Sequence, residues 1–169
     1  MFKNVAADIR RLGDGHVSGR TIIRGLLSQG FQAILVYRFF RWFNVRRIPS
    51  QPFRFIFERF VEITTGISIP VECDIGKGLR IHHFGGIIFH PSVKIGDNCT
   101  VYHEVTIGDR GGTGKAARIG NNVLLGAGAK IIGEIEIGDN CVIGANSVVR
   151  ESVPENSYVM GNPAIIKKR

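Results

Sequence analysis

Residues 124–149 read LLGAGAKIIGEIEIGDNCVIGANSVV, and an aliphatic residue stands at every sixth position from Leu125 to Val149. The same period runs upstream as far as Ile69, with two extra residues after the hexad that starts at Ile81 and a longer loop after Ile107. A six-residue period is typical of a parallel β-helix, in which short strands form stacked coils. The position after the aliphatic residue is often Gly, where a Cβ would obstruct the tight turn. The period therefore predicts a mainly β fold.

The fifth position of each hexad is also expected to face the narrow interior. It holds mostly small residues, including Gly85 and all three cysteines, Cys73, Cys99 and Cys141. We interpret these cysteines as core residues rather than reactive thiols, because a small, soft side chain suits such a stack. Their odd number and the lack of a C-x-x-C pair argue against a disulfide framework and against a thiolate zinc site.

Residues 1–66 follow a helical period instead. The spacing predicts one helix over Phe2 to Leu12, a second from Ser18 through Phe39 that Pro49 ends, and a third with Ser50 as its N-cap that ends at Gly66. We therefore divide the chain into three parts. They are a helical cap (1–66), a β-helix (67–153, with a loop at 108–118) and a C-terminal tail (154–169).

Composition narrows the class of protein. The 169 residues are 44% hydrophobic and carry a net charge of +8, and their 22 glycines follow no Gly-X-Y period, which excludes a disordered and a collagen-like chain. Arginines interrupt the most apolar stretch, 31–43, and the N-terminus lacks a signal-peptide core, so we expect a cytoplasmic protein. The basic charge belongs to the cap, because residues 1–66 carry 11 Lys and Arg against four Asp and Glu.

Several motifs together resemble the serine acetyltransferases, and more broadly the hexapeptide acyltransferases that use acetyl-CoA. They are the hexad frame, GLRIHHFGG (78–86), GGTGK (111–115), the run at 124–149 and VMGNPA (159–164), with GFQA (30–33) in the cap as a weaker match. The resemblance covers residues ~60–165 strongly. It implies a left-handed parallel β-helix, a homotrimer, and acetyl-CoA bound in the groove between neighbouring coils.

The resemblance also implies a catalytic base. By register His83 takes the position of the family's general base, and His82 replaces the usual Asp before it. An imidazole suits acyl transfer from a thioester to a hydroxyl, because it titrates near neutral pH and can accept the proton as the oxygen attacks.

On the acceptor side the chain departs from the family. The carboxylate that partners the base falls on Ser68, which leaves Glu72 or a main-chain carbonyl to orient His83. In the family a histidine contacts the carboxylate of serine, and here Ala116 stands at its position. An Asp in the family's cap recognises the amino acid, and its position falls here on Gly15, next to Asp14. We therefore predict a saccharide acceptor, which needs hydrogen bonds and an aromatic wall rather than charge pairs. Such a wall is available from Phe84, Tyr102 and His103.

The donor side matches the family. Gly111, Gly112 and Gly114 let the backbone approach a ligand closely, Thr113 offers a hydroxyl and Lys115 offers a charge for a CoA phosphate. The resemblance places Ala127 and Ala145 along the pantetheine arm. Lys167, Lys168 and Arg169 either meet the nucleotide phosphates or are simply solvated.

Other classes fit the sequence less well. The five histidines lack the H-x4-H spacing of zinc enzymes on this fold, so no metal is expected, and no nucleic-acid motif accompanies the basic charge. The cap's arginines stand among aromatic residues, which is compatible either with helices at the base of a trimer or with peripheral contact with a membrane. The prediction is an acetyl-CoA-dependent O-acetyltransferase acting on a saccharide. The alternatives are a serine O-acetyltransferase of cysteine biosynthesis and a non-catalytic scaffold at a membrane surface.

Overall fold

In a computed structural model, which describes residues 2–13 and 17–168, the chain winds through about five coils of a left-handed parallel β-helix behind a helical cap. The cap consists of α1 (Phe2–Leu12), α2 (Gly19–Leu27), α3 (Gln29–Val45) and α4 (Phe53–Thr65). None of the helices in the described ranges is long and apolar enough to cross a membrane.

Each of the first four coils contributes one strand to each of three faces, and strands that successive coils contribute to the same face pair in parallel. The first face is formed by β1 (Ile67–Ser68), β4 (Ile87–Phe89), β7 (Thr106–Gly108), β10 (Lys130–Ile132) and β13 (Val148–Val149). The second is formed by β2 (Asp74–Ile75), β5 (Lys94–Ile95), β8 (Arg118–Ile119) and β11 (Glu136–Ile137). The third is formed by β3 (Arg80–Ile81), β6 (Thr100–Val101), β9 (Leu124–Leu125), β12 (Val142–Ile143), β14 (Ser157–Met160) and β15 (Ile165–Lys168).

The hexad period is confirmed by what lies inside the coils. First and fifth positions form the buried interior, and all three cysteines lie there with no exposed surface. The glycines of the second position are required by coil stacking, because a Cβ at Gly96 would lie 2.6 Å from Asn121 Oδ1 and 2.7 Å from the Gly120 carbonyl oxygen of the next coil. Thus the turns nest so closely that a side chain would push the coils apart.

One inward position was assigned wrongly. Gly85 does not face the interior: its φ is +97° and a Cβ there would meet no atom within 4 Å. The inward place belongs to Ile87, which is fully buried and pairs with Ile67. The two extra residues therefore lie before β4, within 82–86, where they enlarge the turn that carries the histidines.

The cap differs from the prediction in two details. The second helix is broken at Ser28, whose backbone is extended, and α3 starts afresh so that Gly30 can pack on Ile81 at the end of β3. The N-cap of α4 is Pro52 rather than Ser50, because the Ser50 carbonyl, not its hydroxyl, accepts the Arg54 N–H. Ser18 is the N-cap of α2, as predicted, and accepts the Thr21 N–H at 3.2 Å.

A buried ion pair fastens the cap to the first coil. Arg38 Nε lies 3.0 Å from Asp8 Oδ2, and both side chains are almost completely buried. Arg38 also donates to the carbonyls of Ile75 and Gly76, while Asp8 accepts the Leu79 N–H at 2.9 Å. The pair thus holds α1 and α3 on the segment that leads into β3 and the histidine turn.

The segment predicted as a tail adds to the third face. β14 pairs in parallel with β12, and β15 returns antiparallel beside it. This places Lys167 and Lys168 at one edge of the six-stranded sheet, whose opposite edge is β3.

Candidate active site

The turns between the third and first faces stack into a column, which we call the histidine column. It comprises residues 82–86, 102–105, 126–129 and 144–147. Main-chain hydrogen bonds join successive turns: Glu104 N–H donates to the Gly85 carbonyl (2.8 Å), Gly128 N–H to that of His103 (3.0 Å) and Asn146 N–H to that of Ala127 (2.8 Å). A continuous edge thereby runs from the histidine turn to the fourth coil.

His83 lies at the cap end of this column. Its ring centroid is 5.7 Å from that of His103 and 6.1 Å from that of Tyr102, and the ring is exposed. His82 stacks on Tyr102 with the ring planes 1° apart and the centroids at 4.7 Å. The structure thus brings His82, His83, Tyr102 and His103 into one aromatic cluster, beside which Phe84 is 59% exposed.

Nδ1 of His103 is buried and has no hydrogen-bond partner among the described residues. A buried, unpaired ring nitrogen costs free energy, so it is a natural contact for a polar group of a ligand. Sequence reasoning gave His103 only a minor place in the acceptor pocket, because hydrogen bonding cannot be read from a hexad position.

Ala127 and Ala145 occupy equivalent turns further along the column. Ala127 is half-buried and Ala145 is exposed. Their methyl groups leave the edge of the column open. Lys167 and Lys168 lie about 24 Å from β3, because five strand spacings separate the two edges of the third face. CoA carries its thiol and its nucleotide phosphates at opposite ends, so this separation is compatible with the predicted roles.

The GGTGK loop leaves the β-helix at a different corner, after β7 on the far side of the first face. Gly111, Gly112 and Gly114 all have φ near +70°, and a Cβ on any of them would meet no atom within 4 Å. Lys115 forms an ion pair with Glu134 at 3.1 Å, and Thr113 is exposed. Within one chain the structure therefore does not bring the loop together with His83.

The residues proposed to support the base belong to another cluster, beside β1. Ser68 Oγ donates to Glu62 Oε1 of α4 at 2.6 Å, and Glu62 Oε2 pairs with Arg59 at 2.8 Å. Glu72 pairs with Arg54 at 3.6 Å. Sequence analysis overlooked Glu62, because only the packing of α4 on the first coil brings its carboxylate onto Ser68.

This cluster lines a cavity of about 240 Å³ between α4 and the first coil. Burial raises the pKa of the Glu58 carboxyl there, Arg54 opposes the rise, and the negative charges of Glu72 and Glu62 add to it. One oxygen of Glu58 is buried without a hydrogen-bond partner among the described residues.

The remaining positions predicted to contact the acceptor either hold an uncharged residue or lie outside the residues that the structure describes. Ala116 is 5% exposed and packs in the core, where its N–H donates to Ser92 Oγ at 2.8 Å. Asp14, Gly15 and Arg169 lie outside the described residues. In the part of the chain that the structure describes, no group of three or more His, Cys, Asp or Glu residues could hold a metal ion.

The sequence is similar to that of known proteins. Residues 116–151 match the model of the bacterial transferase hexapeptide family (six repeats). The serine acetyltransferase of Synechococcus elongatus is 37% identical over 96% of this chain and 67% of its own length. That of Helicobacter pylori is 40% identical over 82% of this chain and 81% of its own length.

Similarity extends to the three-dimensional structure. The crystal structure of serine acetyltransferase in complex with coenzyme A from Brucella abortus superimposes with a TM-score of 0.89 at 30% identity, over 99% of this chain and 68% of that one. The shared fold includes the cap as well as the coils. These relatives, together with the hexapeptide-repeat coils, show that the chain belongs to the serine acetyltransferase family, within the hexapeptide-repeat acyltransferases.

Proposed function

We propose that this protein transfers the acetyl group of acetyl-CoA to the hydroxyl of L-serine. The observation that carries the proposal is family membership over nearly the whole chain, since the relatives compared above are named serine acetyltransferases. These relatives support serine better than the saccharide acceptor favoured by the sequence. They also favour catalysis over a purely structural scaffold.

His83 serves as the general base in this proposal. It accepts the proton of the serine hydroxyl while the oxygen attacks the thioester carbonyl carbon, and a tetrahedral intermediate forms. The C–S bond then breaks, the imidazolium returns the proton to the departing thiolate, and O-acetylserine and CoA leave. Atoms and charges balance without a covalent enzyme intermediate.

In the family a carboxylate partners the general base, and its position falls here on Ser68. Glu62 is our candidate for the residue that supplies this carboxylate instead. It hydrogen-bonds to Ser68, and the helix that carries it ends against the histidine turn, where the Gly66 carbonyl accepts the Ile87 N–H at 3.1 Å. Glu62 would act as a positioning residue through the turn rather than on the substrate.

Acetyl-CoA is the proposed donor, in keeping with the Brucella relative whose structure holds coenzyme A. Three features support this donor: the open glycines of the loop, the small Ala127 and Ala145 in the column, and the positive charge of the lysines at the end of the third face. Because the loop and the histidine column lie on two corners that flank the first face, we propose that a homotrimer completes the site, with the loop of one copy facing the column of the next.

One observation favours a saccharide as the second candidate. A bound serine presents an ammonium and a carboxylate, and an unpaired buried charge is costly, yet Ala116 can pair with neither group and is itself buried. In the serine proposal, another residue must therefore contact the carboxylate.

The deciding experiment measures initial rates of CoA release from acetyl-CoA with L-serine and with nucleotide sugars and oligosaccharides at matched concentration. We expect turnover of L-serine with a kcat/KM of about 10⁴ M⁻¹s⁻¹ or more. His83→Ala is the matched control for hydrolysis that does not depend on the site. Efficient turnover of a sugar with none of L-serine would replace the proposal by its second candidate.

A further inference from the structure

One side of α4 is apolar and exposed over the whole length of the helix. With 100° between successive residues, its members share an arc of about 120°. Each of them is between 50% and 82% exposed. They are Phe53, Ile56, Phe57, Phe60 and Ile63.

This surface continues across the cap into a groove. Phe57 packs against Phe40 of α3 with the ring centroids 6.0 Å apart, and both line an apolar groove of about 460 Å³ between α1, α3 and α4. Phe2 of α1, which is 81% exposed, forms its far wall together with Phe39. A contiguous apolar patch of this kind marks an interaction surface.

Positive charge borders the apolar side. Arg46, at the end of α3 that leads into α4, lies 4.4 Å over Trp42. Arg47 next to it is exposed. The guanidinium group of Arg46 thus stacks on the Trp42 ring, and the exposed Arg46 and Arg47 place two positive charges close to the N-terminus of α4. Arg59, by contrast, pairs with Glu62 at 2.8 Å and lies over the Phe55 ring, away from the apolar side.

The acidic residues of α4 lie on the side of the helix opposite its exposed apolar residues. Glu58 and Glu62 face the first coil, where they lie beside Arg54 and Ser68. Within residues 53–65 the 120° arc therefore carries the five apolar residues and the exposed Thr64, with no carboxylate among them. If a second copy docked through the same surface, the arginines of the two copies would repel each other. A membrane surface complements both the arginines, through its phosphate groups, and the apolar residues, through its hydrocarbon.

We propose that this apolar side of α4, with the exposed Arg46 and Arg47 at its N-terminal end, docks on the surface of a membrane that contains anionic phospholipid. The helix lies in the headgroup layer, its Phe and Ile side chains enter the acyl region, and the arginines contact lipid phosphates. The groove between α1, α3 and α4 is wide and apolar enough to take part of an acyl chain. Docking would hold the enzyme at a membrane without a spanning helix.

The test is co-sedimentation of the full chain with vesicles. We expect binding to vesicles of phosphatidylglycerol and phosphatidylcholine in equal parts, weaker binding to pure phosphatidylcholine, and partial release at about 0.5 M salt, where charges are screened within a few ångströms. The double variant Phe60→Ser, Ile63→Ser should lower the partition coefficient by about tenfold or more, because each side chain loses its transfer free energy into the acyl region.

Ile165→Ser is the matched control, since Ile165 is equally exposed but lies on β15 at the far end of the β-helix. It should leave vesicle binding unchanged. Neither variant touches the histidine column, so the rate of acetyl transfer in solution should stay the same, which separates this proposal from the proposed activity. Absence of binding to the anionic vesicles would overturn the proposal. So would a fall in oligomer mass in the double variant without vesicle binding, which would identify the surface as an interface between copies.

Discussion

Arg38→Met should be among the most damaging single substitutions in the cap. It leaves Asp8, which has no exposed surface, as a buried carboxylate held only by main-chain N–H groups such as that of Leu79 at 2.9 Å. The carbonyls of Ile75 and Gly76 lose their guanidinium donor as well. Removing one partner of a buried ion pair costs about 3–5 kcal/mol, and for a chain of this size each kcal/mol lowers Tm by about 2–4 °C. We therefore expect Tm to fall by about 6–20 °C.

The assay is thermal unfolding followed by circular dichroism at one fixed protein concentration, because assembly of copies also raises Tm. Arg41→Met is the control on the same helix. Arg41 pairs with Asp74 at 3.3 Å, but its side chain is 26% exposed and that of Asp74 67%, so its loss should cost about 1 kcal/mol or less. If the two variants unfold at the same temperature, the buried pair does not fasten the cap and the reasoning fails.

Four further substitutions and one thiol-labelling experiment test the site and the core. His83→Ala should lower kcat by about 10²–10⁴-fold with CoA affinity retained, and Glu62→Gln should lower kcat by less; equal losses from His82→Ala and His83→Ala would contradict the assignment of the base. Ala145→Trp should abolish CoA binding in calorimetry without changing Tm, and unchanged affinity would place the groove elsewhere. Burial raises the pKa of the Cys73 thiol to about 12 and that of Cys99 to about 11, so native protein at pH 8 should react with a thiol reagent far more slowly than unfolded protein. The unfolded thiols ionise near pH 8.5, so keeping them neutral in the core makes unfolding more favourable as pH rises from about 9 towards the raised pKa values, and the free energy of unfolding should fall over that range. Rapid labelling of the native protein would show instead that the cysteines are accessible.

The repeat made most of the β-helix predictable. Each inward position has the same environment in every coil, so a single aliphatic period specifies many contacts, and the close approach at Gly96 is encoded by the same rule. The rule fails where the period is interrupted. Ile87 and Gly85 are both compatible with a hexad, and only the pairing of Ile87 with Ile67 decides which of them points inward.

The site was less predictable, because its contacts cross between elements that the repeat does not relate. Glu62 reaches Ser68 through the packing of a helix on the first coil. Lys115, assigned to a CoA phosphate, pairs with Glu134 in the protomer. Hexad spacing carries no information about the Glu62–Ser68 or the Lys115–Glu134 contact, since both depend on how a helix or a loop packs outside the coils.

The separation of His83 from the GGTGK loop on two corners gives the last prediction, which tests the assembly itself. If the loop of one copy serves the column of the next, chains carrying His83→Ala and chains carrying Gly112→Trp are each inactive, yet mixed trimers contain interfaces with an intact column and an intact loop. After unfolding and refolding of equal amounts together, one interface in four has this combination, so about a quarter of the wild-type activity should return. Separately refolded chains that are mixed afterwards serve as the control and should stay inactive. No recovery in mixtures whose mass shows that trimers have formed would mean that each protomer carries a complete site.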